Sequence, residues 1–257
     1  MASRKFIPAI HPFDRRHGTN TSGLLTAKII AQGTNALLDE LTAYYGVAPS
    51  ILEGVIDQWL RLDPVHSIER YTFLDVGAGK GRAVLLASQF PFATVEGIEL
   101  NGPLSEIARS NVDLWMRDEH SHPLAPITIH HADATTHPLP QSPTLAFLFH
   151  PFETPVLKRF LKHIESSQAL HPHAFDLIYV NAEHGSLLDQ HSAFKCLWEG
   201  RVAMSTEDHI ADLAAIAQQK EYGSTGDEFC SVYRFFARLA NENSHCESNG
   251  TNPASTT

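Results

Sequence analysis

The sequence predicts an α/β fold: a doubly wound, mainly parallel sheet of seven strands, with a helical extension at its amino end. Two observations carry this prediction. From residue 71 onward, short apolar segments alternate with longer helical patterns, which is typical of a parallel sheet covered by helices. The first apolar segment also runs directly into a glycine-rich turn, and open sheets of this kind bind ligands where a strand ends at such a turn.

The elements of the sheet follow one another at regular intervals. Strands are predicted at 71–76, 94–99, 127–131, 144–149, 175–180, 197–204 and 229–237. Helices are predicted between them, with an additional one before the last strand, at 81–90, 101–117, 153–167, 185–195 and 206–220.

The extension ahead of the sheet carries two helical patterns within residues 24–62. Pro49 suits the first turn of the second helix. We expect an amino-terminal arm with helices at 1–62, a ligand-binding domain at 63–240, and a disordered tail rich in Asn, Ser and Thr at 241–257. The first helix would present Leu37, Leu38, Leu41, Tyr44 and Tyr45, and the second Ile51, Leu52, Val55, Ile56 and Trp59.

Length and composition fit one such domain. The chain of 257 residues is long enough for one sizeable core. Its formal net charge of −10 disfavours binding along a nucleic acid backbone, and Arg15-Arg16 is only a local basic pair. No apolar run is long enough to span a membrane and no signal peptide is evident. Because the 3 cysteines are odd in number and widely spaced, the sequence predicts a reducing, cytoplasmic environment.

The glycine-rich turn lies in the segment Tyr71–Arg82. Glycine lets backbone approach a ligand closely because it has no Cβ. A phosphate-binding P-loop is excluded, since Leu74 stands where its first glycine belongs and Gly81 where its hydroxyl belongs. A dinucleotide-binding loop fits poorly because Arg82 occupies the position of a small residue.

What remains is an acid, Asp75, two residues before Gly77-Ala78-Gly79-Lys80-Gly81. This arrangement resembles motif I of the class I S-adenosylmethionine-dependent methyltransferases. The resemblance implies S-adenosyl-L-methionine as the cofactor, with Asp75 and the glycine loop at its methionine end. It also implies a Rossmann-like methyltransferase fold whose last two strands form an antiparallel edge.

Two further acids stand at strand ends where the resemblance leads one to expect them. Glu99, followed by Leu100, ends the second strand, and a carboxylate there can accept hydrogen bonds from both ribose hydroxyls. Asp133, followed by Ala134, is similar in position to the residue that binds the adenine amino group in the family. Each acid by itself is also compatible with a strand-end cap.

The fourth strand ends in His150-Pro151-Phe152, which is similar in position to the (Asp/Asn)-Pro-Pro-(Tyr/Phe) motif of amino-group methyltransferases. The resemblance implies that these residues lie beside the transferred methyl group. His150 is a candidate general base, since a neutral imidazole can accept a proton near neutral pH. The alternatives are that it lines the substrate pocket or caps the strand. Asn181, after the fifth strand, is a candidate substrate contact or helix cap.

The arm at 12–23 resembles the opening, Phe-Asp-Arg-Arg followed by Thr-Ser-Gly, of a group of bacterial class I methyltransferases. We expect this arm to fold over the cofactor or substrate as a lid, with Arg15 or Arg16 pairing a carboxylate. The alternative is an exposed arm in which Thr21 or Ser22 caps a helix. The candidate lid residues are Phe13, Arg15, Arg16, Thr21 and Ser22.

The high count of 16 histidines raises the question of a metal. The pairs at 120–122, 130–131 and 171–173 lack the spacing of known metal motifs, so no metal is predicted. The activity expected is N- or O-methylation of a small molecule or a protein side chain. Two alternatives stay open: a catalytically silent S-adenosylmethionine-binding regulator, and an RNA or DNA methyltransferase that presents a flipped base to Phe152.

Overall fold

A computed structural model describes residues 9–32, 34, 38–119, 121–217 and 226–236. Its strands are β1 (Thr72–Val76), β2 (Thr94–Glu99), β3 (Ile127–His131), β4 (Thr144–Phe149), β5 (Phe175–Val180), β6 (Phe194–Val202) and β7 (Glu228–Phe235). They form one 7-stranded sheet in the order β3-β2-β1-β4-β5-β7-β6. Strands β1 to β5 are parallel, and β7 is antiparallel to both β5 and β6. The predicted α/β class, the mainly parallel sheet and the antiparallel edge are confirmed.

The helices are α1 (Pro12–His17), α2 (Ala27–Ala31), α3 (Pro49–Leu60), α4 (Arg82–Ala87), α5 (Gly102–Trp115), α6 (Thr154–Leu170), α7 (Gly185–Asp189) and α8 (Thr206–Ile216). Pro49 occupies the first turn of α3, as predicted. Helix α7 is shorter than predicted because β6 already begins at Phe194, where its residues pair with β7.

The helix predicted to carry Leu38, Leu41, Tyr44 and Tyr45 is wrong. Only Leu38–Glu40 forms a 3-10 turn, and the following residues are extended. Isolated backbone bridges join Leu25 to Tyr44 and Leu41 to Phe152. Pairing with distant backbone thus overrides a local apolar spacing that fits a helix. Leu37 and the tail at 241–257 lie outside the described residues.

The sheet has a hydrophobic core on each face. On one face, α3, which carries Trp59, and α4 pack over Phe73 of β1. On the other face, α6, which carries Phe160, packs over Leu74. Trp59 is fully buried and its indole N–H donates to Asp176 at 2.8 Å. The end of the amino-terminal extension is therefore part of the main core of the sheet.

The order in which successive strands are added to the sheet reverses at β1, which has β2 on one side and β4 on the other. Connections leave the carboxyl ends of these strands toward opposite sides, which opens a crevice there. Within the described part of the chain, none of the helices has the length and apolarity that a membrane span needs.

Candidate functional site

A cavity of about 730 Å³ lies at the crevice beyond the carboxyl ends of β1, β2, β3 and β4. This volume is within the range of pockets that bind drug-sized ligands. The cavity brings together predicted cofactor residues from three separate strand ends. Those that line it are Asp75, Gly77, Ala78, Gly79, Glu99, Leu100, Asp133 and Ala134.

The glycines of the loop are required both by backbone conformation and by close packing. Gly77, Gly79 and Gly81 have φ values of 80°, 55° and 88°, in the left-handed region that favours glycine. A Cβ on Gly77 would lie 2.6 Å from Cβ of Pro151, and one on Gly79 would lie 2.2 Å from Cε2 of Tyr44. The glycine loop therefore packs against the side chains of Pro151 and Tyr44, while Gly77 and Gly79 also line the cavity.

Gly81 has a different role from the other two glycines. It does not line the cavity, and it precedes Arg82, the first residue of α4. A Cβ there would lie 3.2 Å from Cβ of Ala108 in α5. Gly81 thus allows α4 and α5 to pack closely. It is not among the residues that line the cavity, where its contact with a cofactor was predicted.

Asp75 is a buried acid in the cavity wall, with an exposed fraction of 4%. Burial, and then the negative charge of Glu99, raise the pKa of Asp75 to about 8. Among the described residues, none donates a hydrogen bond to its carboxylate. A buried carboxyl group without a donor is costly unless something in the cavity supplies one.

Glu99 holds the glycine loop and faces the cavity at once. Its Oε2 accepts from the backbone N–H of Gly79 at 2.7 Å, and its Oε1 accepts from that of Asn101 at 2.7 Å. Burial raises the pKa of Glu99, and these hydrogen bonds oppose that effect. Each oxygen can accept a second hydrogen bond, so the two oxygens present a fixed acceptor pair to the cavity.

Asp133 lies at the rim of the cavity and is exposed. Its Oδ1 accepts from the backbone N–H and the hydroxyl of Thr135, both at 2.8 Å. These bonds close the turn after β3 and fix the orientation of the carboxylate.

The apolar end of the cavity is formed by the end of β4 and the extended segment 41–47. Phe147, Phe149, Pro151 and Phe152 line it. The backbone bridge from Leu41 to Phe152 joins the segment to this wall. Pro151 and Phe152 thus line the same cavity as the predicted cofactor residues.

The side chain of His150 lies outside the cavity, contrary to a role as general base or pocket lining. Its φ of 42° is left-handed, and its Nε2 lies 3.6 Å from Oε2 of Glu183. Burial lowers the pKa of His150, and Glu183 opposes that effect. Its backbone contacts segment 41–47, since the His150 carbonyl accepts from the Thr42 hydroxyl at 2.9 Å.

Asn181 also lies outside the cavity, contrary to its predicted substrate contact. Its φ is 51°, its backbone N–H donates to the Phe229 carbonyl at 2.9 Å, and its side-chain amide donates to Glu183 at 3.4 Å. Asn181 therefore shapes the turn after β5.

The arm at 12–23 folds around the buried carboxylate of Asp14. This carboxylate accepts from the hydroxyl of Thr19 at 2.6 Å and from the backbone N–H groups of Thr21 at 2.9 Å and Ser22 at 2.6 Å. The hydroxyls of Thr21 and Ser22 also donate to it. Burial opposes ionisation, but the hydrogen bonds from Ser22, Thr19 and Thr21 hold the pKa of Asp14 below its usual value.

The arm is bound to Lys80 and Arg82, beside the glycine loop, and to Tyr44. Lys80 Nζ donates to the Ser22 carbonyl at 2.5 Å, and Arg82 Nε donates to the Thr21 hydroxyl at 2.7 Å. The Tyr44 hydroxyl donates to the Thr21 carbonyl at 2.6 Å. The arm therefore braces the loop, and its predicted role as a lid stays a prediction.

The predicted lid residues have structural or surface positions. Phe13 is buried and stacks on Trp115 with ring centroids 5.6 Å apart. Arg15 and Arg16 are exposed, and Arg16 lies 3.8 Å from Glu207. None of the described residues of the arm lines the cavity, so neither arginine is placed to pair a carboxylate there.

Sequence reasoning missed the segment that closes the cavity. Thr42, Tyr44 and Tyr45 line it, and the Tyr45 hydroxyl donates to Asp212 at 2.5 Å. The one available signal was an adjacent pair of tyrosines followed by Gly46, which fits an extended aromatic wall as well as a helix. Asn101 was also missed; it caps α5 by accepting from the Leu104 N–H at 3.0 Å.

No protein family model matches the chain, and no curated protein matches it. Solved structures do match at low identity. A candidate methyltransferase from Escherichia coli is 13% identical over 73% of this chain and 86% of its own, with a TM-score of 0.46. A S-adenosylmethionine-dependent methyltransferase from Leishmania major is 13% identical over 71% of each chain, with a TM-score of 0.45. A candidate RNA methyltransferase from Pyrococcus horikoshii is 12% identical over 72% of this chain and 84% of its own, with a TM-score of 0.44. At such distances the chemistry has to be derived from the residues of this chain.

Proposed function

We propose that this chain is a S-adenosylmethionine-dependent methyltransferase that methylates nitrogen or oxygen on a small molecule or a protein side chain. The observation that carries the proposal is Asp75, a buried carboxyl group in the wall of a 730 Å³ cavity to which no described residue donates. A cationic ligand with hydrogen-bond donors satisfies such a group, and the methionine end of this cofactor carries an ammonium and a sulfonium.

The other cavity residues fit the remaining parts of the cofactor. The two oxygens of Glu99 are fixed by backbone N–H groups and retain lone pairs for the two ribose hydroxyls. Asp133 at the rim is fixed by Thr135 and can accept from the adenine amino group. Gly77 and Gly79 expose backbone in the cavity wall between Asp75 and Glu99. These residues would hold the cofactor along the carboxyl edge of the sheet.

The cofactor supplies a methyl group on a positively charged sulfur, and the neutral thioether is a good leaving group when the methyl group passes to the acceptor. The protein's part is therefore mainly to position the acceptor in line and to exclude water. Phe149, Pro151 and Phe152 form an apolar wall suited to both tasks. Beside them, Arg159 donates to Glu40 at 2.9 Å, and both residues line the cavity. This ion pair gives the acceptor end its charged groups, which favours a polar substrate over a purely apolar one.

A label-transfer experiment tests the proposal. The purified chain is incubated with cofactor labelled in its methyl group and with fractionated cell extract, and label is followed in small molecules, protein and nucleic acid. We expect label in the small-molecule or protein fraction, with stoichiometric S-adenosylhomocysteine. The matched control is Glu99→Gln against Glu96→Gln, because both residues lie on β2 but only Glu99 lines the cavity.

The outcomes separate the alternatives. Label in RNA or DNA, together with salt-sensitive binding, would replace the proposed substrate class. Cofactor binding without S-adenosylhomocysteine in any fraction would identify a silent binder. Equal transfer by Glu99→Gln and Glu96→Gln would contradict the assigned cofactor site.

A further inference from the structure

Two histidines and a glutamate converge outside the cavity, at the ends of β4 and β5. The rings of His150 and His184 have centroids 5.3 Å apart, and Nε2 of His184 lies 3.2 Å from Oε2 of Glu153. One potential ligand atom from each of the three residues lies within 4.8 Å of the others. Their side chains are partly exposed, at 15%, 22% and 39% for His150, His184 and Glu153.

The topology of the sheet brings these residues together. Strands β4 and β5 are parallel neighbours, with Phe149 paired to Val180 at their carboxyl ends. His150 follows β4 directly, Glu153 is the N-cap residue of α6, and His184 is the N-cap residue of α7. The cluster therefore joins two loops that meet only in the folded chain.

Each of the two loops contains a residue with left-handed backbone. His150 and Asn181 have φ values of 42° and 51°, and a left-handed backbone is unfavourable for a residue other than glycine. Such conformations persist where surrounding contacts enforce them and often occur at ligand sites. Here the bend turns the His150 imidazole toward His184.

The donor set suits a first-row transition-metal dication. Two imidazoles and one carboxylate form a known set of three protein ligands for Zn²⁺, which leaves a fourth position for water. Ligand atoms around tetrahedral Zn²⁺ are about 3.3 Å apart, whereas these three atoms lie within 4.8 Å of one another. Side-chain rotations that bring the atoms closer by about 1–1.5 Å would form the site. The Tyr179 hydroxyl, 3.5 Å from Nδ1 of His150, can accept a hydrogen bond from Nδ1–H. This tautomer leaves the lone pair of Nε2 free to bind metal.

We propose that His150, Glu153 and His184 bind a Zn²⁺-class dication. Glu183, with its carboxylate 3.6 Å from Nε2 of His150, adds the negative charge that neutralises the ion. The metal fastens the loop after β4 to the loop after β5. Because Pro151 lies between two of the ligands in sequence and lines the cavity, the bound metal fixes the apolar wall of the cavity from behind.

Competition with a chromophoric chelator tests this site in the full, tag-free chain after treatment with EDTA. We expect one tight equivalent of Zn²⁺ that Mg²⁺ does not displace, since Mg²⁺ prefers oxygen ligands. Loss of a hydrogen-bond partner of a metal ligand already lowers metal affinity by about 10–100-fold. Removing a ligand itself, in His150→Ala, Glu153→Gln or His184→Ala, should therefore lower the affinity for Zn²⁺ by about 100-fold. Co²⁺ in place of Zn²⁺ should give a visible absorption that the variants lose.

The matched control is His191→Ala, because His191 lies 3.7 Å from Glu165 in a histidine–carboxylate pair outside the cluster. The His191→Ala variant should still bind one equivalent of Zn²⁺ with unchanged affinity. Circular dichroism checks the fold of each variant, and Glu153→Gln, which keeps the shape of the side chain, reports on the site if a histidine variant fails to fold. Retention of the tight equivalent in Glu153→Gln, or an equal loss in His191→Ala, would overturn the proposal.

Discussion

Asp75 shows how one residue links the chemistry of the cavity to the stability of the chain. Its carboxyl group is buried near Glu99, and its pKa is raised to about 8 from an ordinary value of 3.8. A raised pKa of an acid means that the folded state binds the proton more tightly than the unfolded state. The contribution of Asp75 to stability is then complete below pH 3.8 and is lost as the pH rises through about 8.

Replacing Asp75 by Asn removes this penalty while keeping the shape of the side chain. We expect Asp75→Asn to unfold at a higher temperature than the wild type at pH 8 and at nearly the same temperature at pH 4. Each kcal/mol relieved corresponds to about 2–4 °C in a chain of this size. Thermal unfolding across that pH range, without ligand, checks the prediction. A constant difference at all pH values would show that the ionisation of Asp75 is not the cause.

Gly79 allows a second test at the same scale. In Gly79→Ala the new Cβ meets the Tyr44 ring at 2.2 Å, while in Gly18→Ala, at a similar φ of 67°, nothing lies within 4 Å. The control should therefore cost about 1–2 kcal/mol from backbone strain alone, and Gly79→Ala should cost more. In a Tyr44→Ala background the cost of Gly79→Ala should fall to that of the control. If it does not fall, Tyr44 is not what excludes a side chain at position 79.

At the residue scale, the sequence predicts groups that follow strands and fails for groups placed by backbone bends. Asp75, Glu99 and Asp133 each follow or end a parallel strand, so their convergence at one sheet edge is predictable. The direction of the His150 side chain depends on a φ of 42°, for which no local residue pattern gives a signal. The pairing of His150 with His184 across two loops was missed for the same reason.

Among the elements, the arm at 12–23 has the clearest structural role. Its hydroxyls and backbone N–H groups surround Asp14, and its carbonyls accept from Lys80 and Tyr44. Polar residues in a turn-rich segment therefore form an internal hydrogen-bond network that holds the residues beside the glycine loop. A fixed loop presents the same backbone to a ligand at all times, which lowers the entropy cost of binding.

Asp14→Ala would leave the donors of Thr19, Thr21 and Ser22 without their acceptor. We expect a loss of about 3 kcal/mol in the free energy of unfolding, measured by urea denaturation. The control Arg15→Ala, at an exposed position of the same helix, should change it by less than about 0.5 kcal/mol. Because the pKa of Asp14 is lowered, its contribution is present above the ordinary pKa of 3.8 and is lost as the pH falls below it. The variant should therefore lose less stability than the wild type on acidification; equal losses would contradict this role of Asp14.

At the element scale, the strands of the sheet are predictable because β1, β4 and β5 are buried on both faces and form nearly continuous apolar runs. Segment 41–47 is not predictable in this way. Its apolar spacing fits a helix, but it is held in an extended form by bridges to Phe152 and Leu25. Such contacts are long-range, so a local pattern carries no information about them.

For the whole molecule, the cavity couples ligand binding to protonation. Below pH 8 the free protein carries a proton on Asp75, and a cationic ligand favours the ionised form. Binding of S-adenosylmethionine should therefore release a proton, and affinity should rise by up to about tenfold per pH unit between pH 6 and 8, then level off. Calorimetry in two buffers of different ionisation enthalpy measures the released proton. An affinity independent of pH would show that Asp75 does not face the cation.

The central claim, that this cavity binds S-adenosylmethionine through Asp75 and Glu99, is tested most directly by isothermal titration of the cofactor into the wild type, Glu99→Gln and Glu96→Gln. Loss of hydrogen bonds to a charged group corresponds to a decrease of about 10–100-fold in affinity. We therefore predict saturable binding by the wild type and binding weakened by that factor in Glu99→Gln. Binding should be unchanged in Glu96→Gln, because the Glu96 carboxylate of the wild type contacts His130 at 3.0 Å. Absence of binding by the folded wild type, or equal affinity in all three proteins, would contradict the account.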